Sequence, residues 1–119
     1  MSSHSGALES VDRILNRGGD PDEVLRQVVS VLFGRLEGCS WVGISFVEGG
    51  ALVLGPEQGE RAGAETSVPV SYEGRAVAEL GVIAEDLDAA DRAVLERVAL
   101  LISPYCLVGW DTGGEAWSP

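Results

Sequence analysis

Trp41-Val42-Gly43-Ile44-Ser45-Phe46-Val47, then Gly49-Gly50, then Leu52-Val53-Leu54-Gly55-Pro56-Glu57-Gln58-Gly59, carries the strongest structural signal in this chain. Two apolar, β-prone runs flank a pair of consecutive glycines, which predicts a tight hairpin with strands over 41–47 and 51–54. The following residues, 55–64, hold three glycines and a proline and are read as a loop. A second hairpin is predicted over 66–71 and 75–84, turning at Glu73-Gly74, where the glycine suits a positive φ.

Helices are predicted on both sides of these hairpins. Leu8, Val11, Ile14 and Leu15 have helical spacing, and Gly18-Gly19 end the run. Asp20 is then an N-cap candidate, Pro21 suits the first helical position, and Glu23 is placed to complete a capping box. Leu25, Val28, Val29, Leu32, Phe33 and Leu36 form its apolar stripe, and Gly38 stops it. Near the C-terminus, Asp88 and Asp91 open a helix with Val94, Leu95, Val98, Leu101 and Ile102 on one side, which Pro104 ends or kinks. Two helices, two hairpins and a helix predict an α+β fold, an antiparallel sheet with the N- and C-terminal helices packed on one face.

At 119 residues the chain has room for one core, expected over 1–109, with 110–119 as a C-terminal tail. That tail has no periodicity, and Trp110 and Trp117 favour its lying across an apolar surface. A net charge of −11 repels phosphate backbones and anionic lipid heads, so neither nucleic acid nor membrane is an expected partner. No apolar run reaches the length needed to span a bilayer, and residues 1–10 lack the pattern of a signal peptide, so the expected location is cytoplasmic. Cys39 and Cys106 are too few for a disulfide framework, and with His4 as the lone histidine no metal cluster and no cofactor is expected.

Strand parity sorts the sheet into two faces. Val42, Ile44 and Phe46 with Ala76, Ala78, Leu80 and Val82 are uniformly apolar and are expected against the helices. Trp41, Gly43, Ser45 and Val47 with Val77, Glu79, Gly81 and Ile83 make the opposite, mixed face. No amphipathic element remains to cover it. Gly43 and Gly81 are expected to leave a concavity beside Trp41, as the floor of a ligand pocket would.

Trp41-Val42-Gly43, Leu52-Val53-Leu54-Gly55-Pro56 and Gln58-Gly59 together resemble the free methionine-(R)-sulfoxide reductases, a branch of the GAF domain fold. Glu65-Thr66-Ser67-Val68-Pro69-Val70 with Gly74-Arg75 looks like that family's second sheet half, and Asp88-Ala89-Ala90-Asp91 like its closing helix. The likeness covers about residues 20–103. By this resemblance Trp41 matches a pocket tryptophan and Glu65 a pocket glutamate, while Ser45 replaces a tyrosine and Gly81 and Ile83 replace two aspartates. A redox cysteine of the family falls on Gly63, and the segment that carries the other two, and that roofs the pocket, is skipped between Ala62 and Glu65. Thiol-based sulfoxide reduction needs an attacking thiolate and a resolving thiol, and neither stands at a matching position.

The expected function is therefore a non-catalytic, GAF-like regulatory or signalling module acting through homodimerisation or partner binding. The resemblance implies pairing through the terminal helices. The alternative is a sensor that holds a cationic or zwitterionic metabolite on a shelf formed by Trp41, Ser45, Glu65 and Glu79. A reductase-like enzyme is the last alternative. With a single histidine and no lysine, no nucleophile–base pair is visible.

Overall fold

The computed structural model describes residues 4–36, 38–85 and 87–107. Helices α1 (His4–Arg17) and α2 (Pro21–Arg35) precede strands β1 (Cys39–Glu48), β2 (Ala51–Gly59), β3 (Thr66–Tyr72) and β4 (Arg75–Ala84). Helix α3 (Ala89–Ile102) follows and tightens into a 3-10 turn over Ser103–Leu107, where Pro104 cannot continue the α-helical bonding. The Trp110–Pro119 tail lies outside the described residues.

The helix starts follow the side-chain chemistry. The Asp20 carboxylate accepts from the Glu23 backbone N–H at 3.2 Å, satisfying one of the orphan donors at the start of α2. Glu23 does not close a capping box; its carboxylate is drawn to Gln27 at 3.2 Å and to Arg26 at 3.6 Å. At α3 the box is complete, with Asp91 N–H donating to Asp88 at 2.8 Å and Asp88 N–H donating to Asp91 at 3.2 Å.

Both hairpins are as tight as expected. Gly49 and Gly50 have φ of 59° and 83°, the mirror-image turn whose twist matches paired strands. Glu73 and Gly74 adopt the same shape at 52° and 81°, which puts a glutamate in the left-handed region. All pairings are antiparallel, and the strand order is β2-β1-β4-β3. Helix α2 packs on β1 and β2, α3 packs on β3, and α1 lies across α2 and α3. The α+β architecture with helices on one face is thus the observed one.

Val42, Ile44, Leu80 and Val82 meet Leu25, Val28, Val29 and Leu32 of α2 and Leu95, Val98 and Ile102 of α3 in one core. Burial of each such side chain stabilises the fold by roughly 1.5–3 kcal/mol. Two expectations need correction. Strand β2 continues through the supposed loop to Gly59, because Gly55-Pro56 form a bulge opposite Ile44 on an edge strand, where a missing N–H costs nothing. In β4 a bulge between the Val70–Ala78 and Ser71–Ala76 pairs leaves Val77 extra. The bulge turns Val77 into the core and leaves Ala76 exposed, reversing the parity assignment of both.

Candidate functional site

Trp41 sits on β1 and faces away from the helices, with Ile83 opposite it on β4 and Gly59 opposite it on β2. Gly43 and Gly81 are cross-strand partners one step along the same face. The indole lies flat over this glycine pair. A Cβ at Gly43 would overlap the six-membered ring, and one at Gly81 would lie 3.0 Å from Trp41 Cζ3 and 2.5 Å from Glu65 Oε2. The concavity exists, but the chain's own indole and carboxylate fill it.

The remaining sides are closed by the end of β2 and the residues that follow it. Trp41 Nε1 donates to Glu57 Oε1 at 2.7 Å. The Arg61 guanidinium stands over the indole with its carbon 4.5 Å from the ring centroid, a cation–π contact. Arg61 Nε and Nη2 both reach Glu65 Oε1, at 3.1 and 3.0 Å. Gly63 passes over Ile83. In consequence Trp41 is 1% exposed and Ile83 7%, on a face expected to be open. The cover is a short irregular segment, residues 60–65, rather than a helix.

Among the sequence-derived candidates, Trp41 and Glu65 come together through Arg61. Ser45 and Glu79 are cross-strand partners further along the same face, Ser45 buried and Glu79 half-buried. Glu57 and Arg61 were not among the candidates. Glu57 pairs with Gly43 in an extended β2, so its parity with Trp41 emerges only once residues 55–59 are read as strand.

Neither thiol belongs to this cluster. Cys39 is half-buried at the start of β1, its S–H directed at the Trp41 carbonyl at 3.5 Å, and burial raises its pKa against the smaller opposing effect of that hydrogen bond. Cys106 is buried in the core, which pushes its thiol up to about 12. Both are free, and a thiol held protonated is a poor nucleophile. Among the described residues no group of three or more His, Cys, Asp or Glu side chains is arranged to hold a metal ion. Among them, too, no helix is long and apolar enough to cross a membrane.

No protein-family model matches the chain, and no curated protein matches it. Solved structures do. The fRMsr (free methionine-R-sulfoxide reductase) of Staphylococcus aureus in complex with substrate is similar at TM-score 0.75 and 16% identity, over 89% of this chain and 97% of that one. The free methionine-R-sulfoxide reductase of Neisseria meningitidis in complex with its substrate is similar at TM-score 0.73 and 18% identity, over 94% and 95%. A protein described as a GAF sensor from Burkholderia vietnamiensis is similar at TM-score 0.75 and 16% identity, over 87% and 92%. At these identities the likeness is one of backbone, and with the strand order and the helical layer already described it leads to one conclusion: the protein has the GAF-like fold.

Proposed function

We propose that this chain is a non-catalytic regulatory module that uses its GAF-like fold as a contact surface and works by pairing with a second copy of itself. The observation that supports it most is the occupied face of the sheet, where Arg61 and Glu65 take the space over Trp41, Gly43 and Gly81. A ligand pocket must enclose most of its ligand, and here the enclosing surface is spent on the chain's own side chains. Two protonated thiols away from that face offer no route for a thiolate to attack sulfur. The free thiols also suit a reducing, cytoplasmic setting.

Apolar surface that serves no core remains at Leu52, Val53 and Leu54 on β2 and at Leu100 on α3. Light scattering across a concentration series tests the reading. It expects a reversible monomer–dimer equilibrium, together with no turnover of free methionine sulfoxide in the presence of a thiol reductant. A strictly monomeric chain or a reductase signal above background would refute it.

One observation favours a second reading, a sensor for a cationic metabolite. Arg61 is itself a guanidinium held by an aromatic face and a carboxylate, so a free guanidinium or amine has a ready-made set of partners if the 60–65 segment swings away. Titrating arginine and polyamines against Trp41 emission separates the two: saturation marks a sensor, and a flat response favours the contact module.

A further inference from the structure

The two edges of the sheet are treated differently. Edge strand β3 carries Pro69 at its centre, which removes a donor and blunts the edge against pairing. Edge strand β2 has no such guard over 51–55. Ala51-Leu52-Val53-Leu54-Gly55 holds neither a charge nor a proline, and the stretch from Gly49 to Pro56 is uncharged in a chain of net charge −11. Leu52, Val53 and Leu54 are 49%, 44% and 39% exposed, so both faces of the strand show apolar surface here. A short, uncharged, apolar edge that no other strand pairs among the described residues is a template for another strand.

The pairing pattern says which strand fits. Gly49-Gly50 is a two-residue loop, so Glu48 and Ala51 form the hydrogen-bonded closing pair. Backbone groups alternate along a strand. Val53 therefore turns its N–H and C=O toward Phe46 of β1, while Leu52 and Leu54 turn theirs outward. A second β2 laid antiparallel and centred on Val53 sets Leu52 opposite Leu54 and Leu54 opposite Leu52. Both pairs are then outward-facing and exchange hydrogen bonds, and the two Val53 side chains meet in the closer, non-bonded position between them. In that register the pairing runs from Ala51 opposite Gly55 to Gly55 opposite Ala51, and neither strand carries a charge over those residues.

We infer that the self-association proposed above runs through this edge, β2 to β2 about a two-fold axis at Val53, joining two four-stranded sheets into one of eight strands. The inference rests on that functional reading and replaces the terminal helices, which the family resemblance implied, as the pairing surface. Three leucine and valine side chains and a five-residue edge bury less than the roughly 1,200 Å² of a stable interface, so the dimer is weak and concentration-dependent. Because each copy carries −11, added salt strengthens it.

Sedimentation velocity on the full chain, on Val53→Lys, on Val53→Glu and on an equimolar mixture of the two variants tests this. Val53 is exposed, so both variants should keep the wild-type circular dichroism and melting temperature. The two-fold axis sets residue 53 against itself, so each variant alone should weaken association by at least about tenfold and the mixture should restore it. Dimers of unchanged strength in both variants would overturn the β2 edge while leaving self-association standing. A wild-type chain that is monomeric at every concentration and salt level would overturn both.

Discussion

Gly43 and Gly81 set the local chemistry of the closed face, because only hydrogen at both Cα positions lets the indole of Trp41 lie against the sheet. Gly43→Ala drives a methyl into the ring, and urea unfolding should show a loss of about 2–3 kcal/mol, the scale of overpacking in a filled site. Cys106 gives a pH signature. In the unfolded chain its thiol ionises near 9.0, whereas in the fold it stays protonated to about 12. Its stabilising effect is thus complete below pH 9 and lost as pH rises toward 12, up to about 4 kcal/mol in all. Cys106→Ala should flatten that alkaline fall in a pH series of denaturant melts. Parity put Trp41 and Gly81 on one side of the sheet from sequence alone. That the pocket would be filled was not legible, since it depends on where Arg61 and Glu65 return after an irregular segment with no period to read.

At the scale of elements, most of the fold was written locally. The Asp20 and Asp88 caps, the Gly49-Gly50 turn and the stripe of α2 each combine a residue preference with the neighbouring pattern, and each is found. The failures were the two bulges. An extra residue does not alter composition, so Val77 and Ala76 were sorted to the wrong faces and β2 was cut short at residue 54. The second hairpin turn is strained at Glu73, whose φ of 52° suits glycine or asparagine. Glu73→Asn should stabilise the chain by about 0.5–1 kcal/mol, read as a higher midpoint in urea at unchanged slope. Replacing Asp88 by Ala removes one half of a complete capping box and should cost about 1 kcal/mol by the same measurement.

Considered whole, the molecule is a GAF-like sheet with one face given to the helical core and the other shut by its own C-terminal continuation of β2. The chain carries a net charge of −11, and assembly is proposed to depend on the uncharged, exposed Leu52-Val53-Leu54 edge of β2. The central claim is that the sheet face bearing Trp41 is sealed from within. It is tested most directly by acrylamide quenching in a chain carrying Trp110→Phe and Trp117→Phe, which leaves Trp41 as the sole indole. The account predicts blue-shifted emission and weak quenching that rises severalfold when Arg61→Ala is added. Quenching of Trp41 as strong in the native chain as in urea, and indifferent to Arg61, would contradict it.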